Sequence, residues 1–271
     1  MIDQQETPRI CANDTSADGC FPTVKSPGNA RYPITFFAGI HPGDAISLGD
    51  DPKLLQAARD TVEAVNKVNW WSPTNGLCMA WPPASRVSND AEATLSQFDK
   101  ALDSTLQPNL WPWIHNRPSG GWGCPAEQAG ATLAINDLLM QGHEGFIRLF
   151  PAGWAAASPA SFTTLRADGG FLVSAATAGG GVPKDVEVTS LVGRRCSVLL
   201  PKGWTSIVVR KAAAGGTAAE PVLAEVERRG FGLAVPTKLF HFETVAGGRY
   251  ELADGSGRKV AAARPVMSFG L

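Results

Sequence analysis

Glu127 is the acidic residue whose sequence context most clearly suggests chemistry. It follows the glycine-rich stretch Gly120–Gly123 and then Pro125, so it falls in the first turn of a predicted helix. A carboxylate there is favoured by the helix dipole by roughly 0.3–1 kcal/mol, which is a purely structural explanation. The alternative explanation is a catalytic carboxylate beside a loop whose small residues let a substrate come close. Both explanations remain open on spacing alone.

Hydrolysis of a glycosidic bond usually needs a second carboxylate, because one acts as the acid and the other as the base or nucleophile. Asp44, Asp90 and Asp137 are the available acids. Asp90 also fits the cap of a predicted helix, and Asp137 lies ten residues further along the same predicted helix as Glu127. None of the three is an obvious partner for Glu127, so the second catalytic carboxylate stays unidentified.

Tryptophan is concentrated in two loops that we expect at residues 70–88 and 107–124. Six of the eight tryptophans lie between positions 70 and 122. Aromatic rings can pack on the apolar faces of sugars, while polar side chains bind the hydroxyl groups. Each tryptophan could equally be a core aromatic that covers a helix end. The substrate-binding candidates in or beside these loops are Asn75, Trp81, His115, Trp122 and Gln128, and Arg86 and Asn116 are further polar residues there.

The histidines and cysteines give no pattern of a metal site. The four histidines are dispersed, and His143 fits a structural hydrogen bond at a helix end. The five cysteines have no CxxC spacing and fit buried thiols. There is also no phosphate-binding loop, no nucleophile elbow and no dinucleotide fingerprint. We therefore expect neither a metal nor a cofactor.

Charge and hydropathy exclude several classes of partner. Lys and Arg total 24 against 25 Asp and Glu, so the net charge of −1 offers no basic surface for nucleic acid. No apolar run approaches the roughly 20 residues of a membrane span, so we expect no membrane partner. The N-terminus lacks the pattern of a signal peptide, which leaves the localisation unknown.

The periodicity places helices before strands. Asp51 and Pro52 are typical of a helix start, and the helix should end near Trp70. Further helices are predicted at 90–106 and 126–141. Short strands separated by Gly, Pro or Asp follow, as in a β-sandwich. They are predicted at 146–150, 171–175, 186–192, 195–201, 205–211, 222–228, 231–235, 239–243 and 248–252.

This order indicates an α+β, multidomain chain. We expect a loop-rich segment at 1–50, a helical segment at 51–145 and a β-sandwich at 146–271.

Several stretches resemble glycoside hydrolase family 95, which includes α-L-fucosidases. Residues 130–151 are similar to the end of the family's catalytic domain, and residues 162–175 to the segment that opens its C-terminal β-domain. Weaker similarity covers 75–84 and 37–52. One branch of the family carries the pattern GGGIENAGAT, in which Glu127 falls on the glutamate and Gln128 on the asparagine.

The resemblance implies an (α/α)6 barrel followed by a β-sandwich. About twelve helices form such a barrel, so the chain would correspond to its last part plus the C-terminal domain, and we expect a truncated form. It also implies inverting hydrolysis of terminal α-linked sugars, with Glu127 as the base on water and with Asn75 and Trp122 shaping the sugar pocket. The alternative is an inactive fragment or a carbohydrate-binding or structural module.

Overall fold

The structure is a computed structural model, and it divides into two compact units, Met1–Leu138 and Leu139–Leu271. It describes residues 37–67, 76–106, 110, 125–156, 158–212, 219–222, 225–229 and 237–256.

The first unit is helical in its described part. Its helices are α1 (Pro52–Lys67), α2 (Gly76–Met79), α3 (Trp81–Val87), α4 (Ala91–Thr105) and α5 (Pro125–Leu139). The predicted start of α1 is confirmed, because the Asp51 carboxylate accepts hydrogen bonds from the backbone N–H groups of Lys53 (2.8 Å) and Leu54 (3.4 Å). A side-chain acceptor there satisfies N–H groups that have no partner inside the helix.

The start of α4 is capped by Asp90, as predicted. The Asp90 carboxylate accepts a hydrogen bond from the Ala93 N–H at 2.9 Å, and Asp90 itself has extended backbone geometry. One face of this helix is apolar and packs inward, since Ala91 and Phe98 are buried and Leu102 packs against the core.

We expect replacement of Asp90 by alanine to lower the free energy of unfolding by about 1 kcal/mol, because one N–H at the start of α4 loses its acceptor. Urea denaturation followed by far-UV circular dichroism measures this. The matched control is Asp99→Ala, an exposed aspartate on the same helix, which should change stability by less than about 0.5 kcal/mol. Equal losses in the two variants would contradict a capping role.

The loop expected at 70–88 contains two helices, so that prediction was wrong for its second half. Residues 76–79 form α2 and residues 81–87 form α3. Pro82 and Pro83 occupy the first turn of α3. Proline is compatible with a first helical turn, because the N–H groups there have no helical acceptor.

Helix α5 ends two residues earlier than expected, at Leu139. The next two residues form strand β1 (Met140–Gln141), which pairs antiparallel with β2 (Arg148–Leu149). The hydrogen bond from the Phe150 N–H to the Leu139 carbonyl, 2.8 Å long, belongs to the same arrangement. The backbone groups of Met140 and Gln141 therefore form hydrogen bonds with β2 instead of continuing the helix.

The second unit contains the remaining strands. They are β3 (Ala160–Ala167), β4 (Phe171–Thr177), β5 (Pro183–Ser190), β6 (Cys196–Leu199), β7 (Ile207–Ala212), β8 (Ala219–Val222), β9 (Glu225–Arg229), β10 (Thr237–Phe242) and β11 (Arg249–Asp254). They form an antiparallel six-stranded sheet in the order β3-β4-β5-β11-β7-β8 and an antiparallel three-stranded sheet in the order β6-β10-β9.

The two larger sheets share one hydrophobic core. Phe242 of the three-stranded sheet lies 5.4 Å from the ring of Tyr250 in the six-stranded sheet, and both side chains are buried. Val198 and Val188 belong to the same core and are fully buried. Strand residues alternate between this core and the outer face, as period-2 patterning requires.

Most strand predictions are confirmed, with three differences. Strand β3 is missing from the prediction. The run predicted at 222–228 covers the last residue of β8 and all of β9 except Arg229, and the strand predicted at 231–235 lies outside the described residues.

Both edge strands of the six-stranded sheet are irregular. Strand β3 has a register shift between Phe162 and Leu165, and Thr164 within it has a φ of 57°. The Thr164 N–H donates to the Ser174 hydroxyl at 3.0 Å. At the other edge, β8 contains Pro221, which has no N–H to donate.

The fold is therefore mixed α and β, with helices first and antiparallel strands after them. The described helices do not form a closed barrel. None of the described helices is both long and apolar enough to cross a bilayer.

Candidate functional site

Glu127 lies in the first turn of α5 and is buried, with 1% of its surface exposed. Its carboxylate is held by one residue of α2. The Cys78 backbone N–H donates to Oε2 at 3.1 Å, and the Cys78 thiol donates to Oε1 at 3.1 Å. The two hydrogen bonds join positions 49 residues apart and fix the orientation of the carboxylate.

The two groups that donate hydrogen bonds to the Glu127 carboxylate are uncharged. Among the described residues, these two donors are the backbone N–H and the thiol of Cys78. Buried carboxylates are ordinarily paired with a cation. A carboxylate has about four lone-pair sites, and Cys78 uses two of them. The chemistry available to Glu127 is therefore acceptance of a proton or of a further hydrogen bond.

Gln128 points away from Glu127. Consecutive residues on a helix are about 100° apart, and here Glu127 is buried while Gln128 is exposed. The Gln128 side-chain amide donates to the Leu110 carbonyl at 3.1 Å. The structure therefore does not bring these two predicted site residues together on one face of α5.

Trp81 belongs to the core of the first unit. Its side chain is 1% exposed, and its ring meets the ring of Phe98 edge-on at a centroid distance of 5.1 Å. A ring buried to this extent presents no open face to a sugar. The prediction of Trp81 as a substrate-binding residue does not fit this placement, and the alternative of a core aromatic does.

The other three predicted binding residues, Asn75, His115 and Trp122, lie outside the described residues.

Arg86 is the centre of a buried charge network that the sequence did not suggest. It is 6% exposed, and its Nε donates to Asp137 at 2.9 Å. Its Nη1 donates to the Asp44 carboxylate and to the Ile40 carbonyl, the latter at 3.2 Å. Arg86 was a candidate for binding the hydroxyl groups of a sugar. In the structure its N–H groups instead donate to Asp137, Asp44 and the Ile40 carbonyl. The network joins α3, α5 and the segment before α1.

Burial governs the titration of this network. Burial raises the pKa of Asp137 to about 6, although the charge of Arg86 and its hydrogen bond act in the opposite direction. Burial also lowers the pKa of the neighbouring His41, and the positive charge of Arg86 adds to that effect. Asp44 is the exposed member of the network, with 42% of its side chain accessible.

Asp137 and Glu127 are too far apart to act as a catalytic pair. Ten residues of α-helix separate them, and at 1.5 Å per residue this is about 15 Å along the axis. Inverting glycosidases place their carboxyl groups roughly 6.5–9.5 Å apart. Asp90, the third candidate, has its carboxylate at the start of α4. Asp44 pairs with Arg86 in the network described above. Asp137 is therefore excluded as the second carboxylate by distance, while Asp44 and Asp90 are bound in other contacts.

No protein-family model matches the chain, and no curated protein matches it significantly.

Proposed function

We propose that the chain is a carbohydrate-active protein of the glycoside hydrolase family 95 type, which hydrolyses terminal α-linked sugars such as α-L-fucosides. In this proposal α1–α5 correspond to the last helices of an (α/α)6 barrel, and the two larger sheets correspond to the β-sandwich that follows it. The support is the sequence resemblance together with the order of helices and antiparallel strands.

The observation that carries the proposal is the setting of Glu127. Its carboxylate is buried and fixed by two uncharged donors of Cys78, without a cation among the described residues. Burying a carboxylate without a cation costs stability, so such a group favours a role other than packing. Glu127 also falls on the glutamate of the family pattern.

The proposed step is inverting hydrolysis. The Glu127 carboxylate takes a proton from a water molecule while the water oxygen bonds to the anomeric carbon and the glycosidic C–O bond breaks. A general acid protonates the departing oxygen. Asn75, His115 and Trp122 are proposed to bind the sugar, and Gln128 is left out of the site because it lies on a different face of α5 from Glu127.

We expect the protein to release 4-nitrophenol from 4-nitrophenyl α-L-fucoside and expect Glu127→Gln to lower kcat by about 10²–10⁴-fold, because the amide cannot accept the proton. The matched control is Glu92→Gln, an exposed glutamate on α4, which should retain the activity of the original protein. A parent chain with no turnover above buffer, or a Glu127→Gln variant with full activity, would contradict the proposal.

A sugar-binding module without catalysis is the second candidate, and the near-complete burial of Glu127 favours it. With both oxygens bonded to Cys78, the carboxylate also joins α2 to α5 as a structural element. Calorimetric titration with L-fucose separates the two functions. A binding module gives a saturable heat of binding without turnover. In that case Glu127→Gln lowers the melting temperature but leaves the affinity for L-fucose unchanged.

A further inference from the structure

A small cavity in the second unit has a serine beside a histidine, and the proposed glycosidase uses neither residue. Ser197 lines the cavity, whose volume is about 150 Å³. The Ser197 hydroxyl is hydrogen bonded to Nδ1 of His241 at 2.7 Å. A hydroxyl within hydrogen-bond reach of an imidazole is the arrangement of a nucleophile with its general base. A hydrogen bond that only stabilises the sheet has the same geometry, so the surroundings of the pair matter.

Strand pairing fixes the positions of both residues. Ser197 of β6 and His241 of β10 are direct neighbours across the three-stranded sheet, and Glu225 of β9 is the residue opposite His241 on its other side. His241 is buried, whereas Ser197 is only half-buried. The register therefore orders a serine, a histidine and a glutamate in one row, and these are the residue types of a serine hydrolase triad.

Part of the cavity lining is apolar and suits the hydrocarbon part of an acyl group. Phe146, Ile147 and Phe171 line the cavity and are all buried. The cavity volume equals that of about five water molecules at roughly 30 Å³ each. It is well below the roughly 300–1,000 Å³ of sites for larger ligands. A short acyl chain with its ester group therefore fits the cavity, whereas a long acyl chain does not.

The charged residues of the lining give no preference for an ionic ligand. Arg194, Arg195 and Asp168 line the cavity, and all three are exposed. Arg195 also approaches the carboxylate of Glu243 to 3.8 Å. Two cations and two carboxylates therefore balance each other, which favours an uncharged substrate over an anion or a cation. Because these side chains reach solvent, water has access to this part of the lining.

We propose that Ser197 and His241 form an esterase site for short, uncharged acyl esters. In the tautomer protonated at Nε2, His241 takes the Ser197 proton at Nδ1 while the Ser197 oxygen bonds to the ester carbonyl carbon. The bond from that carbon to the alcohol oxygen then breaks, and the imidazolium gives its proton to the departing oxygen. The guanidinium of Arg194 can donate a hydrogen bond to the oxyanion that forms.

Water completes the reaction by the same two steps. It gives one proton to Nδ1 of His241 as its oxygen bonds to the acyl carbon. The bond between that carbon and the Ser197 oxygen then breaks, and the serine recovers the proton. The products are the carboxylic acid and the free site.

Hydrolysis of 4-nitrophenyl acetate by the full chain tests the proposal. We expect saturable release of 4-nitrophenol, and Ser197→Ala should lower kcat/KM by about 100-fold or more. The matched control is Ser174→Ala, a half-buried, hydrogen-bonded serine of β4 that does not line the cavity, and it should keep the parent's rate. 4-Nitrophenyl octanoate should react at least about tenfold more slowly than the acetate, because its chain exceeds the cavity. Full activity in Ser197→Ala, equal rates with the two esters, or no turnover above buffer each overturns the proposal.

Covalent labelling tests the same serine without a variant. A fluorophosphonate should react with the parent chain so that an oxygen–phosphorus bond forms at Ser197, the P–F bond breaks and His241 takes the proton. Peptide mass spectrometry then locates the phosphonyl group. Labelling of other residues only, or of none, overturns the assignment. The ester assay contains no sugar, so the esterase and the proposed glycosidase can each fail without the other.

Discussion

Arg86→Met is expected to lower the free energy of unfolding of the helical unit by about 3–5 kcal/mol at neutral pH. Methionine keeps an unbranched apolar stem but lacks the guanidinium and all of its N–H donors. Asp137, only 5% exposed, then stays buried without its cation, and the Ile40 carbonyl loses a donor. Urea denaturation followed by far-UV circular dichroism measures the loss. The double variant Arg86→Met/Asp137→Leu should recover most of it, since no buried charge is left alone.

The loss of unfolding free energy in Arg86→Met should depend on pH and should grow as the pH rises. The folded pKa of Asp137, about 6, lies above the unfolded value of about 3.9. The native state therefore binds the proton more tightly, and the contribution of Asp137 to stability falls as the pH rises through this window. Arg86→Met removes the cation that holds this pKa down, so the penalty should be larger at about pH 8 than at about pH 5. Equal penalties at both pH values would show that Asp137 carries no uncompensated charge in the variant.

Trp81→Ala is expected to destabilise the same unit by about 3–5 kcal/mol, the cost of deleting a large buried aromatic and leaving a cavity. The ring is 1% exposed and meets Phe98 edge-on. Trp81→Phe should cost less, because it preserves an aromatic contact. The control Leu110→Ala removes an apolar side chain that is 65% exposed and should change stability by less than about 0.5 kcal/mol.

The same variant separates the two interpretations of Trp81 that the sequence allowed. If Trp81 is a core residue, the urea midpoint shifts strongly. If it were instead a platform for sugar, Trp81→Ala would lower sugar affinity while the urea midpoint stayed close to that of the parent.

Local signals predicted the starts of α1 and α4, although they missed α2 and α3. Asp51 and Asp90 act on N–H groups within three residues, so the residues that determine these caps are adjacent in sequence. The end of α5 was missed because it depends on β1 pairing with β2, which lies several residues further on. Strand β3 was missed because its register shift interrupts the alternation of apolar and polar residues on which the prediction depends.

The contacts of the candidate site could not be predicted in the same way. Cys78 and Glu127 are 49 positions apart, and Arg86 and Asp137 are 51 apart. Nothing in the spacing of Cys78 or Arg86 indicates these partners, because helix packing alone brings them together. Glu127 was found because its position at a helix start after a glycine-rich stretch is a local feature.

The irregular edges of the six-stranded sheet also bear on how the protein behaves at high concentration. An unpaired, regular edge strand is a template on which a second molecule can extend the sheet, and aggregation follows. Among the described strands, β3 has a register shift against β4 and β8 contains a proline, so neither edge strand is regular. Within the described strands, we therefore expect both edges of this sheet to be poor templates for growth, without any change to its core.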